Sequence, residues 1–345
     1  MILTEMIEKS KLDEFKVWLD KYNSYVIIGH IGPDGDAVGS SLGLSHLLKA
    51  LEKKVQIIMP NEFPSFLDWM PGSEDILFFS QNPAQVRECL EKTEVICLLD
   101  FNTLSRVGHD FAEVIDAATA HKIMIDHHLF PDDHCDITMS YTKAVATSEL
   151  VFRLIYQLGM LDKLPKAGAE CIYTGMMTDT GAFTYNSNNK EIYRIISLLL
   201  EFGIDKDLIY REVNNTYSED RLRLMGHILT TMKVYPQNAA LLTLTEEELS
   251  HFNFVKGDSE GFVNIPLSIK NVVCSCFLKE DKDLGIIKVS LRSVGDFPCN
   301  EMAAEFFNGG GHKNASGGEF TGTLNEAILR YEEAINKYRT QLLAQ

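Results

Sequence analysis

The segment His30-Ile31-Gly32-Pro33-Asp34-Gly35-Asp36 places one imidazole and two carboxylates within seven residues, just after the apolar run Tyr25-Val26-Ile27-Ile28. The apolar run is typical of a buried strand, and the glycines and the proline that follow prevent the strand from continuing. The potential ligands therefore lie in a tight loop at the carboxyl end of a strand, where open α/β sheets bind their ligands. Because two carboxylates held this close repel each other unless a cation lies between them, the segment predicts a cation site.

The first half of the chain alternates short apolar runs with amphipathic segments. The predicted strands are Tyr25–Gly29, Val55–Met59, Ile76–Phe78, Val95–Leu99 and Ile123–Ile125. Helical patterns lie between them, at Ala37–Leu51 and Pro83–Leu90, and a helical stretch runs from Ser148 to Gly175, with Thr147 or Ser148 as its N-cap. This alternation predicts an α/β fold whose N-terminal domain has a mostly parallel sheet flanked by helices.

The second half of the chain has a different pattern of apolar runs. Its β-like runs are Val234–Tyr235, Ala239–Leu244, Val272–Leu278 and Gly285–Leu291. A helix near Cys299–Phe307, a glycine-rich loop and a terminal helix at Leu324–Leu342 follow, which together predict a smaller C-terminal α+β domain. We therefore expect a first domain at residues 1–188, a helical connector at 189–233 and a second domain at 234–345, with a cleft between the two domains.

Composition narrows the class of protein. The 345 residues are 45% hydrophobic and 23% charged, as in ordinary globular proteins, and the formal charge of −17 argues against a protein that wraps long duplex nucleic acid. Small phosphorylated substrates are still compatible with this charge. The chain has seven cysteines but no CxxC pair, and it has no apolar stretch long enough to span a bilayer. The first twenty residues lack an apolar core and a cleavage site, so we do not expect them to be a signal peptide. We expect a cytoplasmic protein that does not bind membranes.

Further acidic and imidazole groups occur at similar positions. Asp100 follows the strand Val95–Leu99, Asp126-His127-His128 follow the strand Ile123–Ile125, and Asp179 follows the helical segment. A single Asp after a strand is more often a helix cap or a turn residue. Because the carboxyl ends of parallel strands meet at one edge of a sheet, however, the set as a whole predicts a metal site. The candidate ligands are His30, Asp34, Asp36, Asp100, His127 and Asp179.

These motifs resemble those of the DHH phosphoesterase superfamily. The resemblance rests on His-x-x-Pro-Asp-Gly-Asp at 30–36, Asp100, Asp126-His127-His128 and Asp179. The segment Gly309–Gly318 is similar to the glycine-rich signature of the DHH-associated domain. Order, spacing and length are most similar to the small two-domain NrnA-type enzymes, which degrade nanoRNA and 3′-phosphoadenosine-5′-phosphate.

The resemblance implies two divalent ions and a set of catalytic residues. The first ion would be held by His30, Asp34 and Asp100, and the second by Asp36, Asp100, His127 and Asp179, so that Asp100 bridges them. Mixed imidazole and carboxylate ligands favour Mn²⁺, with Mg²⁺ or Co²⁺ as alternatives. Among the catalytic residues, Asp126 would orient a neighbouring histidine and His128 would reach the scissile phosphate or its leaving oxygen.

The second domain contains candidates for substrate binding. Gly309, Gly310 and Gly311 form either a flexible turn or a loop whose backbone N–H groups approach an anion, with His312 and Lys313 adding donors. Arg292, on a strand shortly before this loop, is either a surface residue or a phosphate ligand, and the family pattern places a phosphate-binding arginine here.

For several side chains, the sequence allows two interpretations. Arg106 either contacts phosphate or neutralises the acidic cluster. Three phenylalanines either stack on a base or belong to the core: Phe262, Phe306 and Phe307.

The expected function is metal-dependent, exoribonuclease-like hydrolysis of short single-stranded RNA or of a mononucleotide bisphosphate. The alternatives within enzymes are a cyclic-dinucleotide phosphodiesterase and an exopolyphosphatase-like hydrolase. Outside enzymes, the chain would be a nucleotide-binding sensor. A homodimer is among the oligomeric states we consider.

Overall fold

The structure is a computed structural model that describes residues 3–344. The chain folds as two compact units, of which the first ends at Thr216 and the second begins at Tyr217. The domain limits 1–188, 189–233 and 234–345 stay a prediction. Within the described residues, none of the helices combines the length and the apolar character that crossing a bilayer requires.

The first unit is built on a six-stranded, wholly parallel sheet. Its strands are β1 (Ser24–Ile28), β2 (Lys54–Met59), β3 (Leu77–Phe78), β4 (Val95–Leu99), β5 (His121–Asp126) and β6 (Ile137–Ser140). Their order in the sheet is β3-β2-β1-β4-β5-β6, so the direction of winding reverses between β1 and β4. Ligands of open α/β sheets bind outside the carboxyl ends of the strands at such a reversal. The predicted parallel sheet is confirmed, whereas the short edge strand β6 was not predicted.

Helices flank this sheet. They are α1 (Lys9–Lys21), α2 (Gly35–Ala50), α3 (Pro83–Lys92), α4 (His109–Ala117), α5 (Thr147–Gln157), α6 (Lys166–Asp179), α7 (Lys190–Glu201) and α8 (Lys206–Asn214). The helical pattern predicted from Ser148 to Gly175 corresponds to two helices, because the chain breaks between α5 and α6. Gly159 has a φ of +69° there, and Pro165 directly precedes α6. The predicted N-cap is wrong, since Ala146 occupies that position.

Glycines on α2 allow it to lie against α6 at close range. Gly35, Gly39 and Gly43 recur every fourth residue and so share one face of α2. A Cβ atom at Gly39 would lie 2.6 Å from the carbonyl oxygen of Cys171, closer than side-chain atoms approach. The sequence thus brings the first turn of α2 beside the last turn of α6.

The second unit contains a mixed six-stranded sheet and five α-helices among the described residues. The strands are β7 (Lys233–Tyr235), β8 (Ala239–Leu244), β9 (Cys274–Asp281), β10 (Ile286–Ser293), β11 (Gly310–His312) and β12 (Ala315–Phe320), in the order β11-β12-β10-β9-β8-β7. The helices are α9 (Glu219–Thr231), α10 (Glu246–His251), α11 (Cys299–Phe306), α12 (Leu324–Lys337) and α13 (Arg339–Leu343). Only β8 and β9 pair in parallel. The predicted α+β domain is confirmed, but the predicted glycine-rich loop is largely the hairpin of β11 and β12.

Candidate functional site

The loop after β1 carries the first candidate ligands. His30 is buried, and its Nδ1 lies 3.0 Å from the carbonyl oxygen of Ile31. Its Nε2 atom lies 3.4 Å from Asp100 Oδ2 and 3.8 Å from Asp34 Oδ1. Asp34 is also the N-cap of α2, because Oδ1 accepts hydrogen bonds from the backbone N–H groups of Asp36 and Ala37 at 3.0 and 3.1 Å. Asp34 therefore caps α2 and also lies beside His30.

Asp36 lies in the first turn of α2 and is almost completely buried. Its Oδ2 accepts a 2.6 Å hydrogen bond from the backbone N–H of Thr147, and its Oδ1 accepts a 2.8 Å bond from that of Ser148. Both donors belong to the first turn of α5, where unpaired N–H groups and the helix dipole favour a negative charge. The N-terminus of α5 thus holds the Asp36 carboxylate, which belongs to the N-terminus of α2.

Asp100 follows β4 at the centre of the cluster. It is 2% exposed and has a φ of +65°, in the left-handed region that few residues other than glycine adopt. Its Oδ1 accepts a hydrogen bond from the Thr147 hydroxyl at 2.9 Å and lies 3.6 Å from His127 Nε2. Since Oδ2 faces His30, the two oxygens of one carboxylate are directed at different histidines.

The triplet Asp126-His127-His128 ends β5 and divides into two environments. Asp126 is fully buried, and its carboxylate accepts from the backbone N–H of His128 at 3.0 Å and lies 2.7 Å from His128 Nδ1. The His127 side chain has different neighbours. Its Nδ1 lies 3.3 Å from the carbonyl oxygen of Ala144, and its Nε2 lies 3.5 Å from Asp179 Oδ2.

The described residues thus form three overlapping groups whose ligand atoms lie within 4.8 Å of one another. The groups are His30, Asp34 and Asp100; Asp36, His127 and Asp179; and Asp100, His127 and His128. All six sequence-predicted ligands belong to them. Carboxylate oxygens and imidazole nitrogens are ligands that divalent first-row metal ions accept.

The pKa values in this cluster report uncompensated negative charge. Burial raises the pKa of Asp100 well above its usual value, and the charge of Asp36 raises it further, against the effect of His30. Burial and then Asp36 likewise raise the pKa of Asp179 to about 8. Burial alone would lower the pKa of His30, but its interactions with Asp100 and Asp34 raise it to about 9. Among residues 3–344, no lysine or arginine forms an ion pair with any of these carboxylates, so the donor set fits bound cations.

Arg106 lies at the edge of this cluster. It belongs to a 3₁₀ turn at Leu104–Val107 that follows β4, and its carbonyl oxygen accepts from the backbone N–H of Ile31 at 2.8 Å. Its side chain is exposed, and it takes part in no ion pair within the described part of the chain. The structure therefore places Arg106 beside the loop of His30.

The second unit has a separate row of polar groups. Across the sheet, Arg292 on β10 is directly opposite Ala315 on β12, which in turn is opposite His312 on β11. Directly opposite residues of antiparallel strands share a face, so Arg292 and His312 flank the small side chain of Ala315. Arg292 is half-buried, which lowers its pKa, and no carboxylate among residues 3–344 forms an ion pair with it.

In the next row of the same face, Ser290 on β10 is followed by two glycines. Gly310 and Gly317 are opposite each other, and a Cβ at Gly310 would meet nothing within 4 Å. Because β11 is an edge strand, alternate backbone N–H groups of it point away from β12. Lys313 is exposed and pairs with Asp296 at 2.7 Å.

Sequence reasoning missed the residue that holds this hairpin in place. The Asn314 side-chain amide donates to Ser293 Oγ at 2.8 Å and to two carbonyl oxygens of the loop that follows β10. The stacking interpretation of the three phenylalanines is wrong. All of them are core residues, with exposures of 1% for Phe262, 8% for Phe306 and 0% for Phe307.

Comparison with known proteins identifies the family. The profile of the DHH family, N-terminal domain, matches residues 24–176, and that of the DHHA1 domain matches residues 238–338. The chain belongs to the DHH family, as predicted.

Individual relatives cover nearly all of the chain. A probable bifunctional oligoribonuclease and PAP phosphatase NrnA from Streptococcus mutans is 29% identical over 330 residues, 93% of this chain and 98% of that protein. The crystal structure of an exopolyphosphatase-related protein from Bacteroides fragilis has 58% identity and a TM-score of 0.96 over 99% of both chains. RecJ from Thermus thermophilus in complex with Mn²⁺ shares the fold, with a TM-score of 0.56 and 13% identity over 98% of this chain and 56% of that one. The chain is a hydrolase of the phosphoesterase type.

Proposed function

We propose that the protein is a divalent-metal-dependent phosphoesterase that hydrolyses short single-stranded oligoribonucleotides and 3′-phosphoadenosine-5′-phosphate. The observation that carries this proposal is the buried Asp100 carboxylate, whose oxygens face His30 on one side and His127 on the other. The name of the Streptococcus mutans relative supports the choice of substrates.

Two ions would be held by the groups that share Asp100. The proposed ligands are His30, Asp34 and Asp100 for one ion, and Asp36, Asp100, His127 and Asp179 for the other. Mn²⁺ suits a mixture of imidazole and carboxylate ligands and binds the RecJ relative, while Mg²⁺ and Co²⁺ are the alternatives. Such ions, when bound, lower the pKa of a water molecule and neutralise charge that develops on phosphate.

His128 is proposed to protonate the leaving oxygen. Its Nδ1 lies 2.7 Å from the buried Asp126 carboxylate, so the opposite nitrogen, Nε2, is the atom that meets the substrate. A buried carboxylate behind a histidine fixes the ring orientation and stabilises the imidazolium that donates the proton.

The row of Arg292, Ala315 and His312 is proposed to bind a phosphate of the substrate. A half-buried guanidinium without an acidic partner in the described chain is suited to an external anion, and Ala315 leaves room above the sheet for it. The open floor at Gly310 and Gly317 would accommodate the attached nucleoside. Arg106 is proposed as a further phosphate contact.

The test is hydrolysis of a substrate panel by the purified protein with Mn²⁺. The panel comprises dinucleotides, short RNAs, 3′-phosphoadenosine-5′-phosphate, cyclic dinucleotides and polyphosphate. We expect mononucleotides from the linear RNAs and inorganic phosphate from the bisphosphate. Asp100→Ala should lower kcat/KM at least ~1,000-fold, equivalent to about 4 kcal/mol, while the protein stays folded. Turnover that survives this substitution or exhaustive chelation would contradict the metal mechanism.

The phosphate role of Arg292 has its own test. Arg292→Ala should raise KM by about 10-fold or more, because hydrogen bonds to charged groups contribute roughly 1.5–3 kcal/mol, and should leave Mn²⁺ affinity unchanged. Lys288→Ala is the matched control, since Lys288 lies on the same face of β10 but pairs with Asp281 at 2.6 Å. Equal KM values for the two variants would argue against phosphate binding at Arg292.

A second candidate, exopolyphosphate hydrolysis, is favoured by the name of the Bacteroides fragilis protein at 58% identity. A preference for polyphosphate over dinucleotides in the panel would select it. Preferential cleavage of cyclic dinucleotides would select a cyclic-dinucleotide phosphodiesterase, and tight nucleotide binding without product would indicate a sensor. The cytoplasmic location and the homodimer stay predictions, and light scattering would test the homodimer.

A further inference from the structure

We propose that Thr147 is a positioning residue of the metal centre, which sets the rotation of the Asp100 carboxylate so that its oxygens serve two ligand groups. This inference rests on the proposed function, because it concerns how the same centre holds its ions. The sequence indicates Thr147 only as a candidate helix cap, a role that the structure gives to Ala146.

The geometry connects Thr147 to two candidate ligands at once. Thr147 is completely buried as the first residue of α5. Its hydroxyl donates to Asp100 Oδ1 at 2.9 Å, and its backbone N–H donates to Asp36 Oδ2 at 2.6 Å. These bonds join segments that are 47 and 111 residues apart in the sequence.

The hydroxyl bond selects one orientation of a torsion that is otherwise broad. The terminal torsion of an aspartate has shallow, roughly two-fold preferences, so an unrestrained carboxylate rotates over a wide range. With Oδ1 held by Thr147, this oxygen lies 3.6 Å from His127 Nε2 and Oδ2 lies 3.4 Å from His30 Nε2. Rotation away from this position would remove both oxygens from the histidines they face.

The hydrogen bond from Thr147 also bears on the backbone conformation of Asp100. Its φ of +65° is a conformation in which non-glycine residues are strained, so the surrounding contacts must maintain it. The Thr147 hydroxyl donates to this side chain from the rigid start of a helix.

Thr147→Val separates positioning from packing. Valine keeps the shape of the side chain and the backbone N–H that reaches Asp36, and it replaces only the hydroxyl, with a methyl group. The control is Thr174→Val, because Thr174 is also fully buried but its hydroxyl donates to the Glu170 carbonyl oxygen within α6 at 2.8 Å. Thr147→Ser restores the hydroxyl and is the rescue variant.

The experiment is calorimetric titration of the metal-stripped full-length proteins with Mn²⁺, alongside thermal unfolding in chelator. We expect Thr147→Val to bind Mn²⁺ about 10–100-fold more weakly than the wild type, the usual range for a lost partner of a metal ligand. Thr147→Ser should bind within about 2-fold of the wild type, and Thr174→Val should bind like the wild type. Raising the Mn²⁺ concentration should recover part of the activity that Thr147→Val loses.

The outcomes separate this inference from the function on which it rests. If the wild type binds Mn²⁺ and hydrolyses nucleotides while Thr147→Val has unchanged affinity, the inference fails and the function stands. If the wild type itself binds no divalent ion, both fail. Weakened binding in Thr174→Val as well would show a general packing effect and would also overturn the inference. Should Thr147→Val not fold, the affinity of Thr147→Ser and Thr147→Ala decides: equal affinities in these two variants would contradict a role for the hydroxyl.

Discussion

Two clusters of charged side chains lie in the N-terminal unit, and they differ in how the charge is compensated. The first, called the metal-centre cluster after the proposed ligands that it contains, has the buried Asp36 and Asp100 and the partly exposed Asp179 at its core. The second, here called the arginine network, consists of Glu149, Arg153 and Glu191. Arg153 is 1% exposed and donates to Glu149 at 2.7 Å and to Glu191 at 3.0 Å.

The pKa shifts of the two clusters run in opposite directions. Burial would raise the pKa of Glu191, but hydrogen bonds from Thr4 and the charge of Arg153 lower it to about 2. The pKa values of Asp100 and Asp179 in the metal-centre cluster are raised instead, and no lysine or arginine pairs with these two carboxylates among residues 3–344. A buried carboxylate with an internal cation is a structural element, whereas carboxylates that raise one another's pKa are groups that a cation from solution would stabilise.

Breaking the arginine network should have the largest effect on stability. Arg153→Met leaves two buried carboxylates without their cation and should lower the free energy of unfolding by about 3–5 kcal/mol, measured by urea titration. Arg194→Met is the control, because Arg194 also faces Glu191, at 3.8 Å, but is partly exposed and should cost at most about 1 kcal/mol. Equal losses in both variants would show that burial of the pair does not set its strength.

Addition of Mn²⁺ should stabilise the metal-centre cluster. Mn²⁺ at 100 times its dissociation constant should add about 2.7 kcal/mol per site to the free energy of unfolding relative to chelator. Asp179→Asn should reduce this gain, and above pH 8 it should stabilise the metal-free protein, because there it removes a charge that repels Asp36 and Asp100. A metal-free variant less stable than the wild type above pH 8 would contradict the claim of uncompensated charge. Thermal unfolding with and without Mn²⁺ measures both.

The sequence was informative where local patterns carry the information. Apolar runs that end on Asp100 and Asp126 define strands and the edge of a sheet, so the parallel fold and the candidate ligands were predictable from the chain alone. Short, partly exposed strands such as β6 lack a continuous apolar run. The glycines of β11 are typical of loops, and only their pairing with β12 makes them a hairpin.

Contacts between distant segments could not be predicted in the same way. Nothing local to Thr147 indicates that its hydroxyl meets Asp100, and nothing local to Arg153 indicates its partner on α7. The spacing of Gly35, Gly39 and Gly43 does carry a signal for close helix packing, which would have predicted a neighbour for α2 but not the identity of α6.

The smallest predicted effect is a difference in pH dependence between the two clusters. Glu191 has a folded-state pKa of about 2, below its usual 4.5, so its stabilisation is present above pH 4.5 and is lost as the pH falls through 2. Asp179, with a pKa of about 8 against its usual 3.8, contributes stability that is complete below 3.8 and is lost as the pH rises through 8. His30 behaves in the same direction, from 6.5 to about 9.

The metal-free protein should therefore lose about 1–2 kcal/mol of stability between pH 5 and 8.5, after allowance for the partial exposure of Asp179. Urea midpoints in chelator across this range measure the loss. Asp179→Asn should reduce the alkaline loss, and Glu191→Gln should instead reduce the loss below pH 4.5. Midpoints that stay constant from pH 5 to 8.5 in chelator would remove the distinction between the clusters. A loss that persists at saturating Mn²⁺ would place its origin outside the metal centre, because bound cations favour the deprotonated carboxylates and the neutral imidazoles.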